Sequence, residues 1–184
     1  MNHHDMTRNM VLAALFAALT AIGAFLQIPT GTVPITLQFL FTALAGLLLG
    51  WKWGAISQLL YVGLGLLGLP VFTQGGGIGY VLQPSFGFLL GLIPAAAVIG
   101  ALTARRTGYL TVLAAVLVGD LILYAVGVPY MYLILHVYMQ SAKTFPALLA
   151  AMLVYVPGDT LKIIVVTALA PVLRRTLVKA VPNL

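Results

Sequence analysis

The sequence predicts an all-α integral membrane protein, a bundle of six transmembrane helices with both termini cytoplasmic. Three observations carry that expectation. Hydrophobic residues make up 62% of the 184-residue chain and charged residues only 7%, with a mean hydropathy of +1.12, whereas soluble domains carry about 25% charge. The apolar residues fall into runs of membrane-spanning length. The basic residues alternate: Arg8, Lys52, Arg105, Arg106, Arg174, Arg175 and Lys179 fall on one side of the predicted spans and Lys143 on the other, and the positive-inside rule makes the first side cytoplasmic. The net charge of +6 is thus a topology signal, and no nucleic-acid partner is expected. With no cysteine in the chain, disulfides, thiolate chemistry and Cys-based metal sites are excluded. There is no His-Glu-x-x-His motif, and neither metal nor cofactor is expected.

Residues 1–184 read as a single membrane domain. The first span, about 10–28, is too long for the apolar core of a signal peptide. It carries Ala13, Ala17 and Ala21 at a spacing of four, with Ala14 and Ala18 beside them. Such small-residue rows let helices approach closely, either inside this bundle or against a separate membrane protein. After a short turn over 27–34, span two, about 35–50, carries Gln38 at its mouth, placed for a neighbouring helix or a ligand. Trp51-Lys52-Trp53 reads as an interfacial turn. Span three, about 54–69, contains Gly63, Gly65 and Gly68 in the order of a dinucleotide fingerprint. No strand precedes them and no acidic residue follows until Asp120, so close helix packing is the better explanation. The loop 70–84 holds Gly75, Gly76, Gly77 and Gly79 with Tyr80 and Gln83. It lacks the Lys-Ser/Thr ending of a P-loop and suits an outward-facing lid. Span four is about 85–104 and span five about 109–128, containing Asp120, which reads as a buried polar group bonded to a neighbouring helix. Val128-Pro129 is expected to end span five. Short outer helical segments follow at 129–139 and 147–156, and the last span runs over 158–178.

The stretch Val154-Tyr-Val-Pro-Gly-Asp-Thr-Leu-Lys162 is the candidate site. Asp159 and Lys162, three residues apart, share a helix face. Pro157 is pre-set for a first helical turn, where the helix dipole favours an anion. An ionisable pair inside lipid is costly and points to function; a structural ion pair is the plain alternative. Counting ~1.5 Å per residue back from Arg174 puts the pair in the outer half of the membrane, beneath the glycine-rich loop.

Four blocks together resemble the BioY family: Pro34-Ile-Thr-Leu-Gln38, the run from Tyr61 to Gly68-Leu-Pro-Val-Phe72, the Gly75–Gly79 cluster, and Pro157-Gly-Asp-Thr-Leu-Lys162. The family's Pro-Thr-Gly-Gly-Tyr reads Pro84-Ser-Phe-Gly-Phe88 here. The resemblance implies a substrate-binding S component of an energy-coupling factor (ECF) vitamin transporter, with biotin as ligand, in a bacterial or archaeal plasma membrane. The implied partners are a transmembrane coupling protein and its ATPase subunits, which agrees with the lack of a P-loop; self-association stays open. It also implies that Ala13, Ala14, Ala17, Ala18 and Ala21 dock the coupling protein. The fused ring of biotin carries a ureido group with two N–H donors and one acceptor. Asp159 is suited to accept from an N–H, and Lys162 to donate to the ureido oxygen or to the ligand carboxylate. Gln38, Tyr80, Gln83 and Gly77 complete the candidate site. Two alternatives are an S component for another vitamin and an intramembrane aspartyl protease using Asp120 and Asp159, each preceded by glycine. Proton sharing between aspartates conflicts with Lys162 one turn from Asp159.

Overall fold

The computed structural model describes residues 3–30, 33–105 and 108–180, with only the backbone of residues 3, 4 and 174–180. Gly31, Arg106 and the side chains of Arg174, Arg175 and Lys179 lie outside the described residues. Among these residues five helical runs are long and apolar enough to cross a membrane. Helix α1 covers His3–Phe25, starting before the predicted first span. The chain then forms a feature the sequence did not suggest, with Pro29 and Pro34 between its two strands. The expected turn is a small ribbon in which strand β1, Gln27–Ile28, pairs antiparallel with strand β2, Ile35–Thr36.

Helix α2, Gln38–Leu66, is interrupted at Gly50, whose φ of 77° is open to glycine and strained for other residues. The chain doubles back there. Thr42 Oγ donates to Gln58 Oε1 at 2.9 Å, although sixteen residues of straight helix would separate them by ~24 Å. A Cβ on Gly54 would lie 2.7 Å from the Cα of Gly46, so the two arms touch backbone to backbone, as small residues permit. The reversal thus falls at Gly50, and Trp51, Lys52 and Trp53 are already helical rather than forming the turn themselves.

Helix α3 covers Phe86–Thr103 and α4 covers Tyr109–Leu133. The predicted break at Val128-Pro129 is not observed: Pro129 lies inside α4, which continues into a π-helical turn over Ile134–Tyr138. Membrane helices tolerate proline because local adjustment and neighbours re-satisfy the freed carbonyl. Helix α5, Phe145–Met152, runs through a 3₁₀ turn at Leu153–Tyr155 into α6, Val156–Ala180. The segment expected as a separate outer helix is therefore joined to the last span.

In the bundle α2 packs on α1 and α3, α3 on α4, and α6 on α4 and α2. The core uses small residues at the crossings: Ala24, Ala43, Ala45, Ala95, Ala96 and Ala115 are wholly buried. A polar seam joins α1 to both arms of α2, where fully buried Thr20, Thr42, Ser57 and Gln58 satisfy one another. Without water in the hydrocarbon, such groups need internal partners.

Candidate ligand-binding site

At the end of the bundle where α2 and α6 begin, a cleft opens between β2, α2, α3, α4 and α6. Together with the open space at its mouth it amounts to ≈ 630 Å³. Phe39, Phe88, Leu89, Leu92, Leu123 and Met152 form much of its apolar lining, and a few polar groups face them.

Asp159 stands in the first turn of α6, where the helix dipole favours an anion. Lys162 Nζ lies 2.5 Å from Asp159 Oδ1, with both side chains about nine-tenths buried. The Tyr124 hydroxyl, from α4, donates to Asp159 Oδ2. Lys162 also donates to the Thr36 carbonyl at 3.3 Å, anchoring β2 to α6. Nearby, Tyr155 donates to the Val33 carbonyl and exchanges a hydrogen bond with Thr30 at 2.9 Å. Two α6-side groups therefore hold the chain that forms one wall.

The second polar wall is neutral. Thr36 Oγ donates to Gln38 Oε1 at 2.8 Å, and Gln38 Nε2 donates to the Tyr61 hydroxyl at 2.7 Å. Tyr80 Oη and Thr73 Oγ, 2.8 Å apart, close the cleft on the loop side.

Of the sequence-predicted site residues, Asp159, Lys162, Gln38 and Tyr80 line the cleft, and Gln83 and Gly77 do not. Gln83 is exposed, its backbone closing the turn that carries Tyr80. Gly77 acts through its backbone: at φ 102° its N–H donates to the Gly65 carbonyl at 2.7 Å. At Gly65, within the Gly63–Gly68 run, a Cβ would collide with the ring of Phe72. Gly65 therefore seats a loop residue rather than a neighbouring helix, while Gly63 and Gly68 have open space around them. Phe72, 1% exposed, pins the loop 70–84 onto the bundle, so that the expected free lid is anchored here.

Thr36, Tyr124 and Tyr155 were missed. The signal for Tyr124 was faint: it lies one turn beyond Asp120, on the same face of a membrane helix. Asp120 itself is no lining residue, and its Oδ1 is buried without a hydrogen-bond partner among the described residues, against the expected bond to a neighbouring helix. The aspartyl-protease alternative fails on this geometry, because the two oxygens of Asp159 are engaged by Lys162 and Tyr124 rather than by Asp120. The alanine rows of α1 also divide. Ala13 and Ala17 are buried inside the bundle and Ala21 is half-buried, so these are packing residues; Ala14 and Ala18 are exposed.

A mostly apolar cleft with a few placed polar groups, set among helices of membrane-spanning length, is the form of a small-molecule site in a multi-pass membrane protein. The BioY family pattern matches residues 1–179, and the chain belongs to the BioY family. It is 53% identical to the probable biotin transporter BioY of Lysinibacillus sphaericus over 141 residues, 76% of this chain and 72% of that one. It is 35% identical to the biotin transporter BioY of Thermotoga maritima, over 89% of this chain and 94% of the relative. The crystal structure of the S-component for biotin from an ECF-type ABC transporter superposes with a TM-score of 0.83 at 30% identity, covering 95% of each chain.

Proposed function

We propose that this protein is the biotin-capturing S component of an ECF-type uptake transporter. The observation that carries the reading is the buried Asp159–Lys162 pair facing a mostly apolar cleft, in a chain whose relatives are named biotin transporters. The ureido end of biotin is placed against the pair. Asp159 accepts from a ligand N–H and Lys162, with a third ammonium proton free of its two contacts, donates to the ureido oxygen. Lys162 is already paired with the Asp159 carboxylate. The floor therefore offers no net positive charge to hold the ligand carboxylate, which points to the mouth. Gln38 and Tyr80 add polar contacts, and the aromatic and aliphatic lining takes the rest of the ligand.

The chain is assigned six spans with cytoplasmic termini in a bacterial or archaeal plasma membrane, the doubled-back arms of α2 counting as two; the reversal at Gly50 and the basic alternation support this. Docking of the coupling protein, which brings the ATPase subunits, is assigned to the exposed row Ala14 and Ala18. Equilibrium binding to the purified protein tests the reading. Biotin should bind well in preference to other vitamins, and Ala14→Trp with Ala18→Trp should abolish co-purification of the coupling protein while leaving biotin binding in place. Tight binding of a different vitamin with none of biotin would reject the assignment.

A further inference from the structure

Gln38 and Tyr61 are 23 residues apart in sequence and meet because the chain reverses at Gly50. Gln38 lines the cleft; Tyr61, 1% exposed, lies behind it. Their hydrogen bonds run in one direction. The Thr36 hydroxyl donates to Gln38 Oε1 at 2.8 Å, Gln38 Nε2 donates to the Tyr61 hydroxyl at 2.7 Å, and Tyr61 donates to the Val71 carbonyl at 3.1 Å. A phenol has one proton. With that proton committed to Val71, Tyr61 can only accept from Gln38, and a turned-over carboxamide would set oxygen against oxygen. The Thr36 hydroxyl, which can donate or accept, follows that sense by donating. Thr36 is also the residue whose carbonyl receives Lys162, so the path runs without a gap from the ion pair on α6 to the loop 70–84.

The far end of the path is mechanically placed. Val71 precedes Phe72, whose ring fills the space left by Gly65, meets Tyr61 edge-on at 5.5 Å and stacks obliquely on Tyr80 at 4.5 Å. Tyr80 lines the cleft. A shift at Val71 is therefore a shift of one cleft wall.

We propose that Tyr61 is a positioning residue for ligand binding. It fixes the orientation in which Gln38 presents its remaining N–H and carbonyl oxygen to the cleft, and it ties the seating of the glycine-rich loop to that orientation. This rests on the assignment of the cleft as the biotin site. A structural tyrosine would need only its ring; the relay needs its hydroxyl.

Tyr61→Phe keeps the ring and deletes the relay. Loss of its two hydrogen bonds should raise the biotin dissociation constant roughly 5- to 150-fold with the ring packing retained. Gln38→Met, which cuts the path at its other end, should cost a similar factor. The double variant should lose no more than about twofold beyond the weaker-binding single, the non-additivity expected of one network. A loop reporter needs no ligand: the chain lacks cysteine and Ile78 is 72% exposed, so thiol labelling of Ile78→Cys reads the loop alone. Labelling of the ligand-free protein should accelerate at least about twofold, the lower end for losing one hydrogen bond, when Tyr61→Phe is added. Should Tyr61→Phe not purify folded, Gln38→Met must produce the same acceleration. Additive losses, unchanged labelling, or biotin affinity within about twofold of the parent in Tyr61→Phe would each overturn the relay and leave the biotin site standing. A parent protein that fails to bind biotin overturns both.

Discussion

The cleft has two polar walls, and they are built differently. On the α4–α6 side a lysine and an aspartate form a buried ion pair closed by one tyrosine. On the α2 side Thr36, Gln38 and Tyr61 form a neutral chain of hydrogen bonds running in one direction. The charged wall is energetically exposed to mutation. Its two charges offset each other's desolvation, and removing one strands the other, at a typical cost of ~3–5 kcal/mol. The neutral wall holds less energy per bond, a net ~0.5–1.5 kcal/mol each, but more orientation. The difference implies a division of labour: the ion pair supplies most of the affinity for a polar ligand head, and the neutral chain sets the alignment of that head with the loop.

The largest effect that would break this division is Asp159→Asn. It keeps the shape while turning one acceptor oxygen into a donor. Truncating one partner of a buried, hydrogen-bonded charge pair costs ~2–5 kcal/mol, so biotin affinity should fall roughly 30- to 4,000-fold. Because Lys162 is then left without its near partner, the melting temperature of the ligand-free protein must be recorded alongside. A folded Asp159→Asn protein that binds within about threefold of the parent would make the pair structural. Tyr61→Phe follows with its smaller loss on the neutral wall; should it cost as much as Asp159→Asn, the division of labour is wrong even though the site is right. Smallest of the three is Tyr124→Phe, which leaves the ion pair intact and removes one donor to Asp159. A loss of roughly 2- to 10-fold is expected, and equality with Asp159→Asn would mean that Tyr124, not Lys162, holds the carboxylate in place.

The same contrast explains what could be read from the sequence. Asp159 and Lys162 were legible because ionisable residues are scarce in an apolar chain and three residues on a helix is a local distance. Family resemblance added the ligand. The neutral wall was illegible beyond Gln38, since Thr36 and Tyr61 are ordinary residues until the reversal at Gly50 brings positions 38 and 61 together. Local signals also misled where tertiary context decides: Pro129 did not end α4, and the five alanines of α1, alike in spacing, were sorted by which side of the helix the bundle covers. The glycine spacing at 63–68 reads as helix packing, and only the structure shows that Gly65 within it seats Phe72.

The central claim is that the charged wall holds the ureido end of biotin and not its carboxylate. Equilibrium affinities of biotin and biotin methyl ester for the parent and for Lys162→Met test it most directly. The account predicts that both ligands lose at least about 30-fold in the variant, with the acid-to-ester ratio kept within about threefold of the parent value. If Lys162→Met weakens the acid while leaving the ester untouched, Lys162 holds the carboxylate and the proposed orientation is reversed.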